Sequence, residues 1–93
     1  MNRYNRKLPN KKFAYKKDGL LSSVSIDDCA KYCTDEIGIT CNAFQYCYLA
    51  AECVISKDFL SNDQNEYQNE NNCDIYESNI SFYLNKKKLF CYK

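Results

Sequence analysis

Residues 25–53 read SIDDCAKYCTDEIGITCNAFQYCYLAAEC, and five of the chain's seven cysteines fall inside this stretch. It opens on Ser25-Ile26-Asp27-Asp28, which has the form of a capping box. The Ser25 hydroxyl can accept from the backbone N–H of Asp28, whose carboxylate can reach back. A helix from about Ile26 to Asp35 is predicted, ended by Gly38. Cys29 and Cys33 are four apart and so share one helix face, with Ile26 and Ala30 beside them. Cys41 to Cys47 and Glu52 to Ser56 then read as two strands of a hairpin across Tyr48–Ala51.

Upstream, residues 1–10 read as a flexible basic arm ending at Pro9. Lys11 to Lys17 alternates basic and aromatic residues around Phe13 and Tyr15, which suits a half-buried strand. Asp18-Gly19 marks a turn. Downstream, residues 57–72 (KDFLSNDQNEYQNENN) are polar and acidic and read as a mobile loop. Two further short strands are predicted, Cys73–Glu77 and Ser81–Leu84, and Leu89-Phe90 is a candidate final strand. Lys86, Lys87 and Lys88 fall on a solvated edge or tail. No internal repeat is present. The plan is one α-helix packed on an antiparallel β-sheet, an α+β fold, with residues 11–93 forming a single domain.

Ninety-three residues make one small domain with a modest core, so an added source of stability is expected. Seven cysteines supply one, at a density typical of extracellular scaffolds. No apolar run is long enough to span a membrane. The start, MNRYNRKLPNKKF, lacks the apolar core of a secretory signal. The expectation is therefore a secreted or cell-surface chain whose signal has been removed, cut from a longer protein. The formal net charge of +1 conceals a segregation. Residues 1–17 carry +7, residues 18–85 carry −10 and residues 86–93 carry +4.

The cysteines are spaced Cys29-x3-Cys33-x7-Cys41-x5-Cys47-x5-Cys53-x19-Cys73-x17-Cys91. A structural zinc site needs four tetrahedral ligands, and the chain has no histidine and only one pair with near-knuckle spacing. The C-x-x-C of a thioredoxin-like site is absent. Structural disulfides are the reading that remains. Ser25–Cys33, Cys41–Cys47 with Cys53, and Asp74-Ile75-Tyr76-Glu77 together resemble a PAN/apple domain, most nearly the amino-terminal domain of hepatocyte growth factor-like proteins. The resemblance covers roughly residues 11–84. It implies a five-stranded antiparallel sheet cradling one helix, with core disulfides Cys29–Cys53 and Cys33–Cys41. For the other three cysteines two arrangements are open. Either Cys47 pairs with Cys73, leaving Cys91 free or bonded outside the chain, or Cys73 pairs with Cys91 and Cys47 is free. The first is carried forward.

No enzyme is expected. The chain has no histidine for general base work and only two glycines, too few for a phosphate cradle. The acids Asp27-Asp28 fit the start of a helix dipole, and Asp35-Glu36 fit a solvated face. No cofactor or metal is implied. In the resembled fold the first and last strands are neighbours, which would join Arg3, Arg6, Lys7, Lys11, Lys12, Lys16 and Lys17 to Lys86, Lys87 and Lys88 in one positive surface. Such a surface would draw a polyanion, and the resemblance implies a sulfated glycan; lysines also simply keep edge strands soluble. Nucleic-acid binding conflicts with the acidic middle of the chain. Of nine tyrosines, Tyr46 and Tyr76 fall in predicted strands, as does Phe44, whereas Tyr48, Tyr67 and Tyr92 are candidates for exposure. Asn79-Ile80-Ser81 is a glycosylation sequon.

The sequence thus reads as an extracellular recognition or adhesion module for a protein or sulfated glycan, within a larger surface or secreted protein. The alternative is a free-standing secreted effector or anti-haemostatic inhibitor on the same scaffold. Its oligomeric state is open, with an intermolecular disulfide through Cys91 as one route. Peptide mapping without reduction is expected to recover Cys29–Cys53 and Cys33–Cys41. Seven free thiols in a folded chain would contradict the scaffold.

Overall fold

The computed structural model describes residues 3–35 and 40–79. Five strands and one helix succeed one another as β1 (Tyr4–Phe13), β2 (Gly19–Leu21), α1 (Ile26–Asp35), β3 (Ala43–Cys47), β4 (Glu52–Ser56) and β5 (Tyr67–Ser78), with a 3-10 turn at Gln64–Glu66. The strands form one sheet in the order β1-β5-β3-β4-β2, and each neighbouring pair is antiparallel.

The helix begins where its cap dictates. Ser25 Oγ accepts from the Asp28 N–H at 3.1 Å, and the Ser25 carbonyl accepts from the Cys29 N–H at 3.0 Å. Asp27 and Asp28 occupy the first turn, where the dipole favours acids. The inner face of α1 buries Cys29, Ala30 and Cys33.

Side chains alternate across β3, so its residues divide between two cores. Phe44 and Tyr46 face the helix and join Tyr4, Ile55, Tyr76 and the cysteines Cys29, Cys33, Cys41 and Cys53. There the Phe44 and Tyr76 rings stack at 4.9 Å while Tyr4 meets Phe44 edge-on at 5.1 Å. Ala43 faces the other way, into a smaller cluster with Phe13, Tyr67 and Ile75, flanked by Leu8, Val54 and Leu60. Among the described residues only part of this second face is covered, by Leu60 and the loop that carries it. Leu60 is tied down by its N–H donating to Glu77 Oε2 at 2.7 Å.

The structure corrects three expectations. Residues 4–10 are not an arm; they are the first part of β1, which ends at Phe13 instead of running to Lys17. Their polar composition hides the strand because β1 is an edge, with one row of backbone groups left for solvent. Pro9 is tolerated there, and the β1–β5 register shifts between Arg6 and Leu8 and again between Pro9 and Lys11. Second, the expected loop 57–72 is already strand from Tyr67, because Lys11, Lys12 and Phe13 pair with Asn69, Gln68 and Tyr67. Third, the Asp18-Gly19 turn leads straight into β2, a strand too short to leave a periodic signature. The expected strands at Ser81–Leu84 and Leu89-Phe90, and the stop at Gly38, lie outside the described residues.

Gly19 in β2 lies hard against the core. A Cβ added there would come within 2.9 Å of Ile55 Cγ1 and 3.1 Å of the Tyr32 hydroxyl. Ile55 is 1% exposed and has no room to move aside. Gly19→Val, although it raises strand propensity, is therefore expected to lower stability by about 1–3 kcal/mol. Denaturant unfolding of the oxidised protein checks this.

Candidate functional site

Three disulfides build the frame. Cys29–Cys53 ties α1 to β4, and Cys33–Cys41 ties α1 to the segment entering β3. Cys47–Cys73 joins residues directly opposite each other on β3 and β5, with Cα atoms 4.0 Å apart. Cys91 lies outside the described residues. The two helix bridges are sealed, with each of their four cysteines at most 1% exposed. The cross-strand bridge sits near the hairpin turn at Tyr48–Ala51, where Gln45 Nε2 donates to Cys47 Sγ at 3.4 Å. Among the described residues no cluster of His, Cys, Asp and Glu is arranged to hold a metal ion.

The basic residues of the amino-terminal segment do not make one unopposed positive patch. β1 pairs with β5, which carries Glu70, Asp74 and Glu77. Arg6 Nη1 lies 3.7 Å from Asp74 Oδ2, and Lys12 Nζ lies 3.4 Å from Glu70 Oε1. Lys11 Nζ donates to Asn69 Oδ1. Lys17 Nζ stands 5.1 Å above the centre of the Phe13 ring. Arg3, Lys7 and Lys16 are exposed, and Lys17 is half-buried. Lys86, Lys87 and Lys88 lie outside the described residues.

Asp74 is the buried hub behind this edge. Its Oδ1 accepts from the Asn10 N–H at 2.9 Å, and its Oδ2 accepts from the Tyr48 hydroxyl at 2.9 Å. Tyr48 also shares a hydrogen bond of 2.6 Å with the Tyr76 hydroxyl. Asn10 adopts a positive φ of 56°, which turns its N–H toward that carboxylate at the second register shift. Tyr48 keeps 42% of its surface exposed, yet its hydroxyl is held in this network. Burial of the hydroxyl, and then its bonds to Tyr76 and Asp74, push the phenol far above its ordinary value of 10.0. Tyr67, expected on the surface, is 9% exposed because its ring packs near Phe13 and its hydroxyl bonds the backbone of Ser61. Tyr92 lies outside the described residues.

Tyr15 and Leu20 are each 61% exposed. They flank a hollow of about 460 Å³ floored by Gln45 and Val54 and edged by Lys12, Lys16 and Lys17. Gln45 is fixed in that floor because its Oε1 accepts from the Phe13 N–H at 2.7 Å. No single stretch of sequence announces this hollow, since its lining comes from residues 12–20 and from both strands of the hairpin. The sequence signals that touch it are the alternation around Phe13 and Tyr15, the lysines Lys12, Lys16 and Lys17, and the Asp18-Gly19 turn. A second hollow, of about 490 Å³, lies between Arg3, Tyr4 and α1 and is walled by side chains of both charges, including Asp27, Lys31 and Asp35.

Disulfides clamp the helix to one face of a small antiparallel sheet, and among the described residues the other face is partly open. The chain belongs to the PAN domain family, whose family model matches residues 4–80. PAN domains are protein- and carbohydrate-binding adhesion modules and are known as binding modules, not as enzymes. Comparison with curated proteins returns no match. The three disulfides and the PAN fold are those of an extracellular fold. Among the described residues no helix is long and apolar enough to cross a membrane.

The tyrosine network fixes a pH dependence. The folded state raises the Tyr48 phenol above its unfolded value, so it favours the neutral form. Burial raises the phenols of Tyr4 and Tyr67 as well. Their contribution to stability is complete below about pH 10 and is lost as the pH rises above it. Stability is expected to fall on the alkaline side of pH 10, and less steeply in Tyr48→Phe. Denaturant midpoints measured across that range for both proteins check this.

Proposed function

We propose that the chain is an extracellular recognition module within a larger surface or secreted adhesive protein, and that it binds a protein or a sulfated glycan. The observation that carries this reading is the meeting of cations and exposed apolar surface at residues 12–20. Lys12, Lys16 and Lys17 rim a hollow whose walls include Tyr15 and Leu20, both well over half exposed. Apolar surface left in water beside charge is a feature of contact sites, and cations around it draw an acidic ligand. Lys7 and Arg3 extend the positive side of that surface along the β1 edge, and Lys86, Lys87 and Lys88 supply further positive charge for an acidic ligand. Cys91 serves as an attachment to a partner outside the chain, and Asn79, one residue beyond β5, carries a glycan.

Binding of the oxidised chain to arrays of sulfated glycans and of secreted and surface proteins tests this. Saturable binding to at least one class is expected, falling as salt rises because the exposed cations are screened. The double substitution K16E–K17E is expected to weaken it about tenfold. Failure to bind either class would overturn the reading.

A further inference from the structure

The open face of the sheet carries a second hollow beside the first. It measures about 350 Å³ and is lined by Gln45, Cys47, Leu49, Glu52 and Glu70 among others. Lys12 and Gln45 line both hollows, so the two adjoin and make one groove. The register gives its direction. Gln45 lies opposite Val54 and Cys47 lies opposite Glu52, so the groove runs along the β3–β4 hairpin toward its turn. At the turn end stands Leu49, 85% exposed, and at the other stand Tyr15 and Leu20, each 61% exposed. Three of the five large apolar side chains exposed among the described residues thus line this one groove.

Its charge changes sign along the way. The Tyr15–Leu20 end has Lys16 and Lys17, with Asp18 committed to the Lys57 N–H at 2.8 Å. The Leu49 end has Glu52 and Glu70. Lys12 and Glu70 pair at 3.4 Å where the two ends meet. A sulfated glycan is negative throughout, so laying one along the whole groove would set sulfates against Glu52 and Glu70. A peptide can match both ends, because its side chains differ in charge and its apolar residues can sit on Tyr15, Leu20 and Leu49.

We infer that this groove is a docking site for an extended peptide segment of a protein partner, with carboxylates over Lys16 and Lys17, apolar side chains along Gln45 and Val54, and a cation over Glu52. The inference rests on the recognition reading above and narrows it to a protein ligand at this face. The hollow's fixed floor favours such an occupant, since Gln45 and the Cys47–Cys73 bridge hold the surface in shape without a ligand.

The oxidised full chain would be panned against a display library of short random peptides. Peptides joining acidic, apolar and basic residues are expected. Their affinity is expected to drop about tenfold or more, roughly 1.4 kcal/mol or greater, in each of Leu49→Asp, Glu52→Lys and K16E–K17E. Lys16 and Leu49 are exposed and Lys17 and Glu52 are half-buried, and unchanged unfolding midpoints would show that the variants fold. A peptide with its acids replaced by lysine is expected to bind K16E–K17E better than it binds the parent chain, which a merely structural effect would not produce. No enrichment, peptides insensitive to all three variants, self-association of the chain abolished by Leu49→Asp, or a heparin fragment that depends on Leu49 and Glu52 would each overturn the groove. Array binding that survives Leu49→Asp and Glu52→Lys but still falls in K16E–K17E would sink the groove alone and leave the recognition reading standing.

Discussion

The rest of the molecule depends on two covalent bonds that leave one helix face side by side. Cys29 and Cys33 stand one turn apart on α1, and their bridges reach β4 and the entry to β3. Those bonds set the helix across the centre of the sheet, and the aromatic core of Tyr4, Phe44 and Tyr76 fills the space beneath. A ten-residue helix is marginal on its own, and the two bridges add to what its packing against the sheet supplies. Closing a loop of 24 residues between Cys29 and Cys53 contributes on the order of 3 kcal/mol. Against the 5–15 kcal/mol or so of a typical domain that is a large share. Because one helix suffices to cover one face, much of the other face is left open among the described residues, and the proposed groove is a consequence of how the core is stapled.

Charge segregation along the chain has a local cause. Basic β1 and acidic β5 are neighbours, and their side chains meet as Arg6 with Asp74 and Lys12 with Glu70. Cross-strand pairs of this kind contribute a fraction of a kcal/mol each, and they help set register along an edge that Pro9 and two shifts would otherwise leave loose. The same pairing sets carboxylates against Arg6 and Lys12, two of the cations that a sequence reading would offer to a polyanion. Lys7 on β1 and Lys16 just after it stay exposed, and Lys17 lies over Phe13.

The helix and the hairpin were legible because short-range chemistry determines them. Ser25 caps, Cys29 and Cys33 repeat at helical spacing, and Phe44 and Tyr46 alternate with Gln45. The outer strands were not legible, for a physical reason in each case. Residues 67–72, YQNENN, have poor strand propensity and are held in β5 by partners across the ladder, chiefly Phe13 opposite Tyr67. β1 looked like an arm because an edge strand keeps lysines and a proline that a central strand would reject. The candidate site was legible only as a concentration of lysine around Phe13 and Tyr15 in residues 11–17. Its groove draws on residues 12–20, 45–54 and 70–73, which only the sheet brings together. Tyr48 shows the same limit, since its bond to Asp74 spans 26 positions.

Amide hydrogen exchange of the full chain, oxidised and then fully reduced, tests most directly whether the helix bridges hold the scaffold. The account predicts the slowest exchange in α1, β3 and β4 of the oxidised protein, and loss of that protection throughout when the disulfides are reduced. Native protection of α1 persisting in the reduced chain would contradict it, because the fold would then stand on packing alone.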